Sequence, residues 1–139
     1  MRAVLDIRTI QYMNLFERVT GVKPKDCFTY NTTIIFTVPH SMMNHALGRG
    51  NFNLNKLSNK INRRVRIIPH PSGIEDLERF IGSMVYPYKF KRIFFEDEEL
   101  IILSMPRIKS VLIGRNKTRL KELSDAMKRF FGIKRVSIR

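Results

Sequence analysis

The chain has 139 residues, 43% of them hydrophobic, and a formal net charge of +14 at pH 7. This length suits one domain or two small ones, and the hydrophobic content excludes a chain that is disordered throughout. So large an excess of positive charge is informative about partners rather than fold, and nucleic acid is the first partner to consider.

Two features of the sequence concern the cellular compartment. Cys27 is the sole cysteine, so an intrachain disulfide is excluded and a reducing compartment is expected. Arg2, Asp6 and Arg8 interrupt the apolar run that a secretory signal needs, and no apolar run is long enough to span a membrane. We therefore expect a cytoplasmic protein with no membrane partner.

The first half of the chain predicts a helix, two strands, a short helix, a second helix and a third strand. The first helix has apolar residues at helical spacing and ends at Gly21 and Pro24. The polar pair Asn31-Thr32 predicts a turn between the first two strands, and Pro39 suits the first turn of the short helix. The predicted ranges are 9–20, 26–30, 33–38, 39–47, 52–62 and 64–69.

The second half predicts the same elements in the same order after the proline- and glycine-rich segment 69–73. His70 lies in this linker and is expected to be exposed, whereas Ile74 is the first of several apolar residues at core spacing. The predicted ranges are 74–85, 89–95, 100–104, 106–113, 118–131 and 133–138, with the acidic run 96–99 as the hairpin turn. We divide the chain into a first module, residues 1–69, and a second module, residues 70–139.

Two short glycine loops, each between two predicted helices, are the most informative motifs. They are Gly48-Arg49-Gly50-Asn51 and, 66 positions further on, Gly114-Arg115-Asn116-Lys117. Each lies in a stretch without Asp or Glu, residues 27–74 and residues 100–121. The agreement of element order, core positions and loop chemistry indicates an internal duplication. A glycine-led basic loop that opens a helix presents backbone N–H groups to an anion, so two of them predict contacts with a strand of phosphates.

This order of elements resembles the type II KH module, whose glycine loop clamps about four nucleotides of single strand. Around the first loop, Val38-Pro39, Ala46-Leu47 and Asn53 complete a pattern similar to the KH signature of NusA transcription factors. A chain of two such modules resembles the archaeal NusA-like transcription termination and elongation proteins. The resemblance covers nearly the whole chain.

The resemblance implies an α+β fold of two tandem type II KH modules, each a small mixed three-stranded sheet packed against helices. It also implies a non-catalytic protein that binds single-stranded RNA during transcription termination or elongation, with RNA polymerase as a candidate partner. The expected RNA-binding residues are Gly48, Arg49, Gly50, Asn51, Asn53, Lys56, Lys60, Arg64, Arg66, Gly114, Arg115, Asn116, Lys117, Arg119 and Arg135. The first loop is the better match, because Asn51 is a milder departure from the usual Gly-x-x-Gly pattern than Lys117.

Other groups of residues predict no chemistry. Cys27, His40 and His45 match no zinc spacing, and Cys27 is expected to be buried in a strand. The acidic run 96–99 lacks the ligand spacing of a calcium loop. Neither glycine loop ends in Gly-Lys-Ser/Thr, and no nucleophile–base pair is evident. We therefore expect no metal, no cofactor, no small-molecule substrate and no enzymatic activity.

The sequence leaves three other functions open. The same KH modules could bind ribosomal RNA or act in ribosome assembly. The loops could instead have lost RNA binding in a protein-interaction scaffold, in which case Gly48 and Gly114 only permit tight turns between helices. The chain could also be an enzyme that acts on nucleic acid.

Overall fold

The computed structural model describes residues 7–139 and separates into two compact units, with the division between His70 and Pro71. Residues 1–6, with which the predicted first module begins, lie outside the described residues, and so do Arg2 and Asp6 of the N-terminal pattern. None of the helices between residues 7 and 139 combines the length and the hydropathy that a membrane-spanning segment requires.

The first unit is built around a mixed three-stranded sheet. Its elements are α1 (Ile7–Thr20), β1 (Asp26–Tyr30), β2 (Thr33–Val38), α2 (Met43–Leu47), α3 (Phe52–Ile61) and β3 (Val65–Pro69). The strand β1 is antiparallel to β2, and β2 is parallel to β3, so β2 is central. All six residues of β2 are buried, as its β-branched and aromatic side chains favour.

The second unit repeats this arrangement. Its elements are α4 (Leu77–Val85), β4 (Arg92–Glu96), β5 (Glu99–Leu103), α5 (Pro106–Ile113), α6 (Thr118–Phe131) and β6 (Arg135–Ile138). The central strand β5 is antiparallel to β4 and parallel to β6. The register repeats too, since Ile34 lies opposite Val65 and Leu100 lies opposite Val136. The predicted α+β fold of two type II KH-like modules is confirmed.

Aromatic side chains anchor the helices in both units. In the first, Phe16 of α1 packs on Phe36 of β2 with ring centroids 4.5 Å apart, and Leu57 of α3 joins the same fully buried cluster. In the second, Phe80 of α4 packs on Phe130 of α6 at 4.9 Å. Burial of side chains of this size contributes about 2–3 kcal/mol each, so these contacts hold α3 and α6 in the cores of their units.

The two hairpin turns explain one error of the sequence prediction. Both turns have two residues with positive φ, +51° and +58° at Asn31-Thr32 and +51° and +64° at Asp97-Glu98. Turns of this kind match the twist of a hairpin. The predicted four-residue acidic turn is therefore wrong, because Glu96 and Glu99 pair with each other in the ladder.

Ile74 is the clearest error in the predicted core. It is 57% exposed, because a short 3₁₀ turn over Ile74–Asp76 precedes α4 and takes its side chain out of the apolar stripe of that helix. Cys27, in contrast, is buried in β1 as predicted. The strand predicted from residue 133 begins later, at Arg135, because the Ile133 amide still donates to the Met127 carbonyl at the end of α6, at 3.3 Å.

His70 is not the exposed linker residue that the sequence predicted. Its backbone N–H donates to the Val38 carbonyl at 2.8 Å, and its Nδ1 lies 2.9 Å from the Thr37 hydroxyl oxygen. These contacts join it to the first unit. Burial, more than the opposing attraction of Asp26, lowers the pKa of His70 from 6.5.

We expect His70 to make the free energy of unfolding depend on pH. Since its folded-state pKa is below the unfolded value of 6.5, its stabilising contribution is complete above that pH and is lost as the pH falls through the folded-state pKa. Urea unfolding between about pH 7.5 and about pH 5 should show a falling midpoint that His70→Gln flattens. His40→Gln, at an exposed position, is the control, and an unchanged profile in H70Q would contradict the assignment.

Candidate nucleic-acid interface

The two glycine loops have the same backbone path. Loop 1, residues 48–51, connects α2 to α3, and loop 2, residues 114–117, connects α5 to α6. The leading glycines have φ and ψ of 79° and 165° at Gly48 and of 77° and 169° at Gly114. Each glycine N–H ends the preceding helix, donating to Asn44 in loop 1 and to Ser110 in loop 2, both at 3.0 Å.

The leading glycine of each loop is required by the fold itself. Its backbone conformation belongs to a region that only glycine adopts readily. A Cβ on Gly48 would lie 2.9 Å from the backbone nitrogen of Asn53, and one on Gly114 would lie 3.0 Å from that of Arg119. These two glycines therefore explain how a short helix can meet a long one so closely, whether or not a ligand is bound.

The third and fourth loop positions are left-handed in both copies. In loop 1, φ and ψ are 59° and 30° at Gly50 and 60° and 28° at Asn51. In loop 2, they are 57° and 28° at Asn116 and 61° and 24° at Lys117. Asparagine tolerates this conformation well, and Lys117 adopts it too. Asn51 and Lys117, which both depart from Gly-x-x-Gly at the last position, thus give the same backbone path.

Two backbone amides in each loop are available to a ligand. The last amide of each loop is used internally, since Asn51 donates to Gly48 and Lys117 donates to Gly114, both at 3.1 Å. Within residues 7–139, no acceptor is bonded to the amides at the second and third positions, which are those of Arg49, Gly50, Arg115 and Asn116. These four residues are exposed.

The charge around the loops is positive and lacks carboxylate partners. Arg49, Arg115 and Lys117 are exposed, and in the described part of the chain none of them forms an ion pair with Asp or Glu. The first turns of α3 and α6 contain no acidic residue, and no side chain among the described residues caps either helix start. An anion that reaches a loop would therefore meet free N–H donors and cationic side chains together.

Asn53 and Arg119 form hydrogen bonds that bridge the two helices on either side of each loop. Asn53 Nδ2 donates to the carbonyl of His45 at 3.3 Å, and Arg119 Nη1 donates to that of Val111 at 3.2 Å. Each bond ties the long helix to the last turn of the short helix before it. Both predicted RNA-binding residues thus also contact the backbone of the short helix.

Lys56 and Lys60 lie beside loop 1. Both are exposed on α3 and line an open groove of about 550 Å³ together with Gly50 of the loop. In the described residues neither lysine has a carboxylate partner. The structure therefore brings Gly50 of loop 1 and these two lysines onto one continuous surface.

Arg64, Arg66 and Arg135 come after the long helices in the chain. The loops precede α3 and α6, whereas Arg64 and Arg135 come after the C-terminal ends of these helices. The helices have 10 and 14 residues, which correspond to lengths of about 15 Å and about 21 Å. Arg135 Nη2 donates to the Asp97 carbonyl of the hairpin turn at 2.6 Å. Arg66 is half-buried in β3, opposite Ile35. Arg64 and Arg135 therefore lie near the ends of α3 and α6 that are remote from the loops.

Phe52 is the residue that sequence reasoning missed. It follows loop 1 directly, is 63% exposed and lines the groove of Lys56 and Lys60. The signal was available, because Leu54, Leu57 and Ile61 define the inward face of α3 and Phe52 does not belong to it. Phe52 is therefore an exposed aromatic residue that directly adjoins a basic loop.

Three known proteins align with nearly the whole chain, although no family model matches it. Each is named "Probable transcription termination protein NusA": that of Methanococcus vannielii is 25% identical, that of Thermoplasma acidophilum 20% and that of Methanocaldococcus jannaschii 21%. The alignments cover 99%, 97% and 96% of this chain and 80%, 94% and 74% of the relatives, respectively.

A solved structure agrees with the fold. The crystal structure of the protein APE1850 superposes with a TM-score of 0.67 and 22% identity, and the match covers 97% of this chain and 100% of that one. At this identity the match shows the shared fold. The three relatives confirm that the chain resembles the archaeal NusA-like transcription termination proteins along nearly its whole length.

Proposed function

We propose that the chain is a non-catalytic RNA-binding protein whose two KH modules hold the phosphate backbone of single-stranded RNA at loop 1 and loop 2. The two compact units are the two modules, and His70 belongs to the first of them. The contact residues are those at the second and third loop positions, Lys117 of loop 2, and Lys56 and Lys60 beside loop 1. The protein would act in the cytoplasm, without a metal or a small-molecule substrate.

One observation supports the proposal above all others. Two loops of matching geometry each leave two amides free within the described residues, beside cations that have no carboxylate partner. A phosphate can accept from such amides and is attracted by the same cations. A turn that served the fold alone would need the leading glycine but would have no reason to keep acidic residues away from both copies.

The role in transcription is supported by the relatives. Three proteins that align with nearly the whole chain are named as probable transcription termination proteins. We therefore propose that the RNA is a transcript and that RNA polymerase is the protein partner, in termination or elongation. Purification of native complexes tests this part, since polymerase subunits should accompany the tagged protein, whereas ribosomal subunits in their place would favour a role in ribosome assembly.

Binding of single-stranded RNA should depend strongly on salt. If each module neutralises about three phosphates, the logarithm of the affinity should fall with the logarithm of the salt concentration with a slope of roughly −4. Titration of a labelled, unstructured oligonucleotide at several salt concentrations measures it. Lys56→Ala should reduce the slope by about 0.7, and a slope near zero in the wild type would contradict the phosphate contacts.

A further inference from the structure

The outer face of α3 differs from an ordinary charged helix surface. Phe52 is 63% exposed at its first position. The groove of about 550 Å³ that continues from loop 1 is lined by Gly50, Phe52, Asn55, Lys56, Asn59 and Lys60. An aromatic ring, two amides and two cations therefore share one open surface, and no carboxylate is among the residues that line it.

The spacing along this face is regular. Asn55 and Asn59 are four residues apart, and so are Lys56 and Lys60, which places each pair on one side of the helix. Four residues of helix correspond to a rise of about 6 Å. The lysine row can therefore follow a backbone while the amide row faces the bases.

The second module lacks this surface at the equivalent positions. Thr118 takes the place of Phe52, and its hydroxyl donates to the Arg115 carbonyl of loop 2 at 2.7 Å. Glu122 takes the place of Lys56, and Asp125 takes the place of Asn59. Lys121 takes the place of Asn55, and Ala126 takes that of Lys60. The aromatic ring and the row of two lysines are thus absent there, although the two loops are alike.

We infer that the outer face of α3 is a base-contacting surface for single-stranded RNA, an inference that rests on the proposed function. Phe52 stacks on one base, Lys56 and Lys60 contact phosphates, and Asn55 and Asn59 offer hydrogen bonds to base edges. The second module has no such face and contacts the backbone alone, through loop 2. The first module therefore provides most of the affinity and all of the sensitivity to bases.

The chemistry of the surface favours nucleic acid over a protein partner. Stacking of a base on an exposed aromatic ring is a recurring mode of single-strand binding, and it accompanies a basic track for the backbone. A Phe52→Ala variant should bind RNA roughly 5- to 150-fold more weakly, which is the range for loss of one stacked base. Because Phe52 is largely exposed, this change should leave folding intact.

Tryptophan fluorescence tests the inference directly, since the chain contains no tryptophan. Phe52→Trp places a single reporter on α3, and Thr118→Trp places one at the matched position of α6. The probes are a labelled oligouridylate of about eight nucleotides and an abasic strand of equal charge. We expect oligouridylate to quench the fluorescence of F52W and the abasic strand to leave it nearly unchanged, while T118W responds to neither.

Anisotropy of the labelled oligouridylate separates failure of the proposed function from failure of the inference. If the wild type does not bind it, the proposed function fails and the inference fails with it. If the wild type binds but F52W responds equally to both strands or to neither, the inference alone is wrong. Lys56→Ala and Lys121→Ala remove the same charge from the outer faces of α3 and α6, so equal losses of affinity would also contradict the inference.

Discussion

Replacement of Arg49 and Gly50 together with aspartate should weaken binding of single-stranded RNA by about 100-fold or more. The variant places two carboxylates beside the free amides of loop 1 and removes one cation. Each charge-assisted hydrogen bond to a phosphate contributes about 1.5–3 kcal/mol, and two or three are lost together with new repulsion. Titration of an unstructured labelled oligonucleotide near 0.1 M salt measures the loss.

The control has to separate local chemistry from overall charge. Gln11→Glu with Arg18→Glu changes the net charge by the same amount on the exposed side of α1. This pair of substitutions should lower the affinity for RNA only a few-fold, because it acts through the long-range electrostatic field alone. An aspartate variant of loop 1 that is folded and binds no worse than this control would favour the protein-interaction scaffold.

Gly48→Ala and Gly114→Ala should each lower the free energy of unfolding by about 2–4 kcal/mol. The two glycines have φ of 79° and 77° with an extended ψ, a region closed to side chains. An added Cβ would also lie 2.9 Å or 3.0 Å from a backbone nitrogen, which cannot move without shifting α3 or α6. Urea unfolding of the full chain, followed by circular dichroism, measures the change.

Gly50→Ala is the matched control within loop 1. Its φ is +59°, but no atom lies within 4 Å of the position that a Cβ would occupy, so only the left-handed conformation is penalised. We expect a loss of about 1 kcal/mol. Equal losses at Gly48 and Gly50 would mean that the close approach of the two helices does not contribute to the requirement for glycine.

Much of the fold was predictable because local signals and packing agree. Residues 26–30 and 33–38 are strands as predicted, since the Asn31-Thr32 pair suits a two-residue turn with positive φ. Pro106 begins α5, and Gly132 ends α6 in a left-handed conformation. The duplication added a second check, because each element had to occur twice in the same order.

The errors arose where tertiary contacts override composition. The segment around His70 has the proline content of a linker, yet Val38 and Thr37 bind it to the first unit. Residues 96–99 are uniformly acidic, and only the ladder shows that Glu96 and Glu99 belong to strands. Composition alone does not reveal such pairings, because they depend on how the backbone of one segment meets that of another.

The candidate site was predictable in part. The loops follow from a motif that occurs twice, and Lys56 and Lys60 follow from helical spacing beside loop 1. Charge alone could not show that Arg135 bonds to the hairpin turn or that Arg119 bonds to the short helix. Arginine donates to backbone carbonyls as readily as to phosphates, so its role depends on what the fold places nearby.

The central claim is that the free amides of the two loops donate hydrogen bonds to the phosphates of an RNA strand. Amide chemical shifts of the ¹⁵N-labelled protein, recorded during titration with oligouridylate, test it most directly. We predict that the largest shifts belong to the amides of Arg49, Gly50, Arg115 and Asn116. Binding that leaves these four amides unchanged while others shift would contradict the claim.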